Sequence, residues 1–334
     1  MLPKVSLHLS KNVNLNLRAS EMYLEPGKIT RVTSIGGGPI GGGWAAHFLA
    51  RGYDVTIYLH DVAEVPAFEA ILDTAWHSLT DLGLAKGASK DRLRVSTDLK
   101  DAVSNAEFIQ ESAPENLAMK QALYAQLGEL VPENVIIGSS TSGLTMTDIQ
   151  SDCATPGRCV IGHPFNPPYL LPLVEIVGGK ATDPAAVAWA GEFYEIAGKA
   201  PLIMKKEIPG FVATRLQEAL WREALHMVAN GEATPADIDI ALINGPAPRM
   251  AVQGQCMAFH VACGAGGMAT NLDQFGPALK LPWTRLEAPE LTQELRDRMV
   301  DGCNEIAGSR GFEEMATKRD AQIVAVLRAI RDTA

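Results

Sequence analysis

Residues 34–59 read SIGGGPIGGGWAAHFLARGYDVTIYL, and this stretch decides the fold. A β-rich run precedes the glycines, helix-forming residues follow over 40–51, and Gly52 separates them from a second β-rich run. The turn carries the pattern G-x-G-x-x-G, and its ligand-facing residues are predicted to be Gly36, Gly38, Pro39, Ile40 and Gly41. Bare backbone at such a turn lets a pyrophosphate approach the N–H groups at a helix N-terminus. The stretch therefore predicts a strand–turn–helix–strand unit that binds a dinucleotide.

The end of the second strand departs from the usual dinucleotide pattern. An Asp or Glu about 20 residues after the glycines normally accepts the ribose hydroxyls. This chain has Leu59 at that point, followed by His60 and Asp61, and no arginine stands there to receive a 2′-phosphate. We therefore predict NAD rather than NADP as the cofactor. Leu59 would stand at the ribose-binding position. Recognition of the ribose would then be weakened, unless the Asp61 carboxylate extends back to accept the ribose hydroxyls.

Short β-rich runs alternate with helix-length segments over the first part of the chain. The eight runs are ITRVTSI, DVTIYL, LRVST, EFIQE, NVIIGSS, CVIGHPF, LVEIVGG and PLIMKK. Such alternation predicts βαβ units and a largely parallel sheet. Residues 28–207 are therefore predicted to form an α/β, Rossmann-type NAD-binding domain, and residues 1–27 an N-terminal extension.

The remainder is predicted to be an all-α domain, over residues 208–334, for substrate binding and dimerisation. Pro209 suits a first helical turn, and Gly231 would end a helix predicted over 209–230. The apolar stripe of this helix comprises Val212, Leu216, Leu220, Ala224 and Val228. Further apolar residues, such as Trp221, lie outside the stripe. The helix thus has more apolar surface than one face needs, which favours a homodimer interface.

Composition and charge limit the classes of partner. Hydrophobic residues make up 47% of the 334 residues, which allows a large core and two domains. The formal net charge of −10 argues against a nucleic-acid partner or an anionic membrane surface. No apolar run is long enough to cross a membrane. The five cysteines lack metal-type spacing, so we expect reduced thiols in a cytoplasmic protein, with no metal site and no disulfide framework.

Two polar segments stand at the predicted ends of strands. GSSTSGL, 138–144, places Ser142 in a run of hydroxyls that forms either a hydrogen-bonded turn or part of a ligand crevice. His163 ends the next apolar run, and Glu175 lies inside the one after that. Buried ionisable groups must be paired, so these two form either a structural ion pair or a tuned acid/base pair. The position of His163 at that end of the sheet favours catalysis.

Several segments together resemble the 3-hydroxyacyl-CoA dehydrogenase superfamily. The similar motifs are the glycine turn through Trp44, EFIQESAPEN at 107–116, STSGL at 140–144, GHPFNPPYLLPLVEIVGG at 162–179 and PGF at 209–211. QFGPALKLPWTRLE, at 274–287, is similar more narrowly to the L-carnitine dehydrogenases within that superfamily. The resemblance implies NAD-dependent oxidation of a 3-hydroxyl, with L-carnitine as the expected small-molecule substrate.

The resemblance also implies a role for each matching residue. His163 would be the acid/base, Glu175 the carboxylate that orients it, and Ser142 the residue that holds the substrate oxygen near the nicotinamide. The residues that would contact NAD, besides the glycine turn, are Glu115, Lys120 and Asn166.

Two positions depart from the family pattern near the substrate. Thr214 stands where Asn or Asp is common, and Met250 replaces an expected tryptophan. Thr214, Phe259 and Trp283 are the predicted substrate contacts, and the two aromatic rings would suit a trimethylammonium head. The helix expected over 62–85 contains no Lys or Arg to meet CoA phosphates. The alternatives are a 3-hydroxyacyl-CoA dehydrogenase, an L-gulonate dehydrogenase, or a dinucleotide-binding protein without catalytic activity.

Overall fold

The computed structural model describes residues 22–251, 254–263, 267–275, 277, 281, 283–284, 290, 292–295, 297, 309 and 312–333. The chain divides into two compact units between Val212 and Ala213. The first unit is built on a β-sheet, and the second consists of α-helices in its described part. No helix within these ranges is long and apolar enough to cross a membrane.

The described part of the first unit contains one eight-stranded sheet. Its strands are β1 (Arg31–Ile35), β2 (Asp54–Tyr58), β3 (Leu93–Ser96), β4 (Phe108–Glu111), β5 (Ile136–Ser139), β6 (Cys159–Pro164), β7 (Leu173–Gly178) and β8 (Ala200–Ile203). They lie in the order β3-β2-β1-β4-β5-β6-β7-β8, and neighbours are parallel except β6 and β7. Those two are antiparallel because only residues 165–172 join them, too few for a crossover helix. The predicted α/β fold with a largely parallel sheet is confirmed.

Helices connect the parallel strands of this unit. They are α1 (Pro39–Ala50), α2 (Val65–Leu82), α3 (Leu99–Val103), α4 (Leu117–Leu130), α5 (Met146–Ile149) and α6 (Pro184–Ile196). Side-chain caps fix where several of them begin: Asn116 accepts the Met119 N–H before α4, and Asp183 accepts the Ala185 N–H before α6. The helix predicted over 40–51 is present with its bounds shifted by one residue.

An aromatic cluster fixes α1 to the sheet. The rings of Trp44 and Phe48 stack with centroids 5.2 Å apart, and Phe48 also contacts Phe108 of β4 at 6.3 Å. Tyr194 of α6 packs against Trp44, with centroids 5.6 Å apart. All four side chains are fully buried. The helix that follows the glycine turn is therefore held by dense packing on its inner side.

The second unit contains helices α7 (Ala213–Ala229), α8 (Pro235–Asn244), α9 (Pro246–Met250), α10 (Gln255–Ala262), α11 (Gly267–Phe275) and α12 (Phe312–Thr333). The predicted start of α7 at Pro209 is wrong. Gly210 and Phe211 have φ of 68° and 49°, a conformation that a right-handed helix cannot contain. The predicted end is correct, because Gly231, with φ of 68°, follows the last turn.

The apolar stripe of α7 is only partly covered. Ala224 and Val228 are buried, as the stripe predicts. Leu216 and Leu220, in contrast, are 62% and 50% exposed, and Trp221 is 46% exposed. The stripe is therefore buried only in its second half, which leaves an apolar surface on the first half of this helix.

Candidate active site

The glycine turn between β1 and α1 requires glycine at two positions. Gly36 has φ of +99°, and a Cβ there would stand 2.7 Å from the Ser112 carbonyl oxygen. A Cβ at Gly41 would lie 2.0 Å from the Gly36 carbonyl oxygen. At Gly38, by contrast, a Cβ would meet no protein atom within 4 Å. The turn is thus tightly packed on its inner side and open at Gly38.

This turn suits the pyrophosphate of NAD. Gly38 is the N-cap of α1 and Pro39 is its first residue, so the N–H groups of Ile40 and Gly41 have no acceptor within the helix. Free N–H donors at a helix N-terminus, next to open space, are what a phosphate group requires. The structure brings the five predicted residues of the glycine turn together in this arrangement.

The side chain that follows β2 faces the core. Leu59 is 0% exposed, and a Cβ at Gly37 would lie 2.3 Å from its Cδ2. The Leu59 side chain therefore packs beneath the glycine turn, and the expected contact of Leu59 with the cofactor stays a prediction. Asp61 stands two residues further on; it is exposed, and its carboxylate accepts the Ala63 N–H at 2.8 Å.

Ser142 lies on a loop that Glu115 holds in place. Glu115 Oε1 accepts hydrogen bonds from Thr141 Oγ1 at 2.5 Å and from the backbone N–H groups of Ser142 and Gly143, both at 3.1 Å. The Ser142 side chain is exposed, with its Oγ 3.5 Å from the same carboxylate oxygen. A single carboxylate therefore fixes the loop backbone while the Ser142 hydroxyl stays at the surface.

Lys120 lies in the core. Its side chain is 1% exposed, and Nζ donates to Glu111 Oε1 at 2.6 Å and to the Ala113 carbonyl oxygen at 3.0 Å. Glu111 Oε2 also accepts from Ser139 Oγ at 2.5 Å. The amine of Lys120 is turned inward, and its expected contact with NAD stays a prediction. The pair joins the ends of β4 and β5 to α4 and supports the site from beneath.

Gln110 and Glu111 belong to the site but were not predicted from the sequence. Gln110 Nε2 donates to Ser140 Oγ at 2.8 Å and to the Gly162 carbonyl oxygen at 3.2 Å, while its Oε1 accepts from the Tyr194 hydroxyl. Gln110 therefore links the serine loop to the residue before His163. The available signal was the run EFIQE, in which two polar residues end an apolar strand at the ligand edge of the sheet.

His163 and Glu175 are paired across β6 and β7. They are direct partners in the antiparallel register, and His163 Nδ1 lies 2.9 Å from Glu175 Oε2. His163 is 6% and Glu175 0% exposed, and Glu175 Oε1 accepts the Val212 N–H at 2.8 Å. Because the carboxylate occupies Nδ1, Nε2 points to the other side of the ring. The arrangement can take up a proton at Nε2 while the carboxylate stabilises the imidazolium.

Aromatic rings flank the imidazole. The ring of Phe165 has its centroid 5.5 Å from that of His163, and the ring of Phe211 lies at 5.3 Å. Phe211 is buried and Asn166, which follows Phe165, is exposed. The expected contact of Asn166 with NAD stays a prediction.

The predicted substrate residues all belong to the second unit. Thr214 is the second residue of α7, Phe259 lies on α10 and is 44% exposed, and Trp283 is 71% exposed. Met250, where a tryptophan was expected, ends α9 and is 40% exposed. Their contact with a substrate stays a prediction.

The described part of the chain contains no cluster of His, Cys, Asp or Glu that could hold a metal ion. Four cysteines within it are free thiols, namely Cys153, Cys159, Cys256 and Cys263. Cys303 lies outside the described residues.

Comparison with known proteins covers both units. The family model of the 3-hydroxyacyl-CoA dehydrogenase NAD binding domain matches residues 31–208, and that of the C-terminal domain matches residues 210–301. A Streptomyces coelicolor protein named L-carnitine dehydrogenase is 56% identical over 91% of this chain and 96% of its own length. A Streptomyces griseus protein of the same name is 55% identical over 91% of each chain.

A solved structure agrees with these matches. 5-Formyl-3-hydroxy-2-methylpyridine 4-carboxylic acid 5-dehydrogenase, described as an NAD+-dependent dismutase, has a TM-score of 0.75 and 29% identity. The match covers 91% of this chain and 99% of that one. With the glycine turn and the His163–Glu175 pair in place, the chain belongs to the 3-hydroxyacyl-CoA dehydrogenase family and is an NAD-dependent dehydrogenase.

Proposed function

We propose that this chain oxidises the 3-hydroxyl of L-carnitine to 3-dehydrocarnitine, with NAD as the cofactor. The observation that carries the proposal is the buried His163–Glu175 pair at the carboxyl end of β6. That end lies on the same edge of the sheet as the glycine turn, because β1, β4, β5 and β6 are parallel. The relatives named L-carnitine dehydrogenase supply the expected substrate.

His163 acts as the general base in this proposal. Nε2 takes the proton of the substrate hydroxyl, and Glu175 holds the imidazole in one tautomer through Nδ1 and stabilises the positive charge that develops. The Ser142 hydroxyl, on the loop that Glu115 fixes, orients the substrate oxygen. Phe165 and Phe211 limit the access of water to the imidazole.

The glycine turn and its surroundings would hold NAD. The N–H groups of Ile40 and Gly41 would bind the pyrophosphate, and the open space at Gly38 would admit it. NAD, when bound, supplies the acceptor for the hydride that leaves the substrate carbon.

A small cationic substrate fits the chain better than an acyl-CoA. α2 carries no Lys or Arg to meet CoA phosphates. Phe165, in contrast, places an aromatic ring beside His163, and a ring face is worth about 0.5–2 kcal/mol to a trimethylammonium group.

The test compares kcat/KM for L-carnitine, L-gulonate and 3-hydroxybutyryl-CoA at one pH and one NAD concentration, with NADH formation followed by absorbance. L-Carnitine is expected to be preferred by at least about tenfold, which corresponds to ~1.4 kcal/mol in the transition state. A tenfold preference for the thioester would overturn the proposal. Binding of NAD without turnover of any of the three would instead favour a protein without catalytic activity.

We further propose that the chain is a homodimer through its second unit. Leu216, Leu220 and Trp221 expose a contiguous apolar surface on α7, which a second copy of the chain would cover. Sedimentation equilibrium of the full chain is expected to give a dimer at micromolar concentration. A wild-type protein that stays monomeric would rule this out, and Leu220→Glu should shift the dimer towards monomer.

We also propose that residues 28–207 serve as the NAD-binding domain, residues 208–334 as the substrate and dimerisation domain, and residues 1–27 as an extension. The free thiols of Cys153 and Cys159, whose sulfur atoms lie 3.9 Å apart without a disulfide, are consistent with a cytoplasmic location. Fractionation of cells that express the full chain would test that location.

A further inference from the structure

Lys199 is a buried lysine on the turn between α6 and β8. It is 7% exposed, and its Nζ donates hydrogen bonds to the carbonyl oxygens of Pro168 and Leu171, the latter at 3.3 Å. Lysines are rarely buried unless they are paired with a carboxylate. In the part of the chain that the structure describes, Lys199 forms no ion pair, so backbone oxygens take the place of a carboxylate.

Both acceptors belong to the segment 165–172, which joins β6 to β7. This segment therefore connects His163 on one strand to Glu175 on the other. It turns back on itself, because the N–H groups of Leu170 and Leu171 both bond to the Pro167 carbonyl oxygen, at 3.1 and 3.0 Å. Lys199 thus donates hydrogen bonds to the segment that connects His163 to Glu175.

The other side of Lys199 faces the helix of the glycine turn. Nζ lies 4.8 Å from the centroid of the Trp44 ring on α1. The same helix touches the segment directly, since a Cβ at Gly43 would lie 3.0 Å from Cδ of Pro168. It also touches the turn of Lys199, where His47 Nε2 lies 2.9 Å from the Ala197 carbonyl oxygen. Lys199 therefore stands between the cofactor helix and the catalytic segment.

We propose that Lys199 is a positioning residue that clamps the segment 165–172 to α1. The clamp holds Phe165 and Asn166 next to His163 and keeps the segment in register with the glycine turn. The catalytic part of this inference rests on the proposed function, because it assumes that His163 is the base. A displacement of about 1 Å at a reacting group can cost roughly 100-fold in rate. Loss of the hydrogen bonds that form the clamp should therefore mainly lower kcat.

Lys199→Met removes both hydrogen bonds and keeps an unbranched side chain in the core. Lys100→Met, at an exposed lysine on α3, is the matched control. Hydrogen exchange of the full chain, read on peptides that cover residues 165–172, should be about tenfold faster in Lys199→Met and unchanged in the control. The kcat with L-carnitine should fall about tenfold or more, while the Kd for NAD stays within about threefold.

Lys199→Arg supplies N–H donors again and should recover part of the lost kcat. Unchanged exchange over residues 165–172 in Lys199→Met would overturn the clamp. Faster exchange with an unchanged kcat would overturn its role in positioning the catalytic segment. If Lys199→Arg does not fold, exchange and kcat in Lys199→Met decide the matter. The exchange measurement needs no substrate, so it tests the clamp even if the wild-type chain does not oxidise L-carnitine, a result that would refute the proposed function alone.

Discussion

His163 and Glu175 face each other across β6 and β7, with Nδ1 and Oε2 2.9 Å apart. The two strands are joined by a short segment, so their direct pairing, rather than packing between distant parts of the chain, sets this distance. The second carboxylate oxygen accepts the Val212 N–H, which keeps Glu175 from rotating away. The base and its orienting carboxylate are therefore built into one hairpin.

Replacing His163 should stop turnover without preventing cofactor binding. In His163→Gln the amide cannot accept the substrate proton, and loss of a general base typically costs about 10²–10⁴-fold in rate. The phosphate-binding N–H groups lie on the glycine turn, so the Kd for NAD, measured by calorimetry, should be unchanged. His77→Gln, at an exposed position on α2, is the control. Near-native kcat/KM in His163→Gln would remove this residue from the proposed role.

The change Glu175→Gln should be milder. The amide retains one oxygen, which can accept from either His163 or the Val212 N–H, but it carries no charge to stabilise the imidazolium. Hydrogen bonds to charged groups are worth about 1.5–3 kcal/mol, so kcat should fall roughly 10- to 100-fold. The measurement is kcat in both variants under the same conditions. A loss in Glu175→Gln that exceeds the loss in His163→Gln would contradict the assigned order of roles.

The glycine turn and the His163–Glu175 pair could be predicted from local patterns in the sequence. Glycine at positions 36 and 41 is demanded by close contacts within a short stretch, and strand ends follow from the alternation of apolar runs. The partners of Lys120 and Glu115 were not predictable in this way, because they come from strands and loops that only the folded sheet brings together. The start of α7 was missed because Phe211 adopts a positive φ that few non-glycine residues take.

Glu115 should contribute to substrate positioning, because it holds the loop that carries Ser142. Glu115→Ala removes the acceptor of four hydrogen bonds, from the hydroxyls of Thr141 and Ser142 and from the N–H groups of Ser142 and Gly143. Hydrogen bonds to a charged acceptor are worth about 1.5–3 kcal/mol each, so the loop should loosen without them. We expect a decrease of about tenfold in kcat/KM for L-carnitine. Glu129→Ala, at an exposed residue of α4, is the control, and equal kinetics in the two variants would refute the role of Glu115.

Lys199 should make the free energy of unfolding depend on pH. Burial, and then repulsion from Arg51, lowers the pKa of Lys199 from 10.5 to about 7. Between these values the unfolded chain binds a proton that the folded chain does not, so stability rises with pH over this window. In the described part of the chain, Arg51 is the titratable group that acts on Lys199, and Lys199 in turn helps to lower the pKa of His47.

The measurement is urea unfolding of the wild type and Lys199→Met between pH 7 and 9.5. Other titrations cancel in the difference between the two proteins. The free energy of unfolding of the wild type, minus that of the variant, should increase by up to ~1.4 kcal/mol per pH unit. A difference that stays flat with pH would show that Lys199 keeps an ordinary pKa in the folded chain.

Asp61 is the carboxylate best placed to take over the ribose contact that Leu59 cannot make. It is exposed, follows β2 by three residues, and accepts the Ala63 N–H that caps the next turn. A carboxylate there would accept the ribose hydroxyls of NAD and repel the 2′-phosphate of NADP. Asp61→Asn retains an oxygen for the cap but loses the charge, so it separates the two functions.

We expect Asp61→Asn to raise the Kd for NAD by about tenfold, or ~1.4 kcal/mol, and to reduce the preference for NAD over NADP. Calorimetric titration with both cofactors measures this directly, with Asp152→Asn, an exposed residue after α5, as the control. Thermal unfolding of the two variants checks that the cap is retained. An unchanged Kd for NAD would mean that Asp61 does not reach the ribose. At this end of the site, NAD would then be bound through its pyrophosphate alone, because the Leu59 side chain is buried beneath the glycine turn.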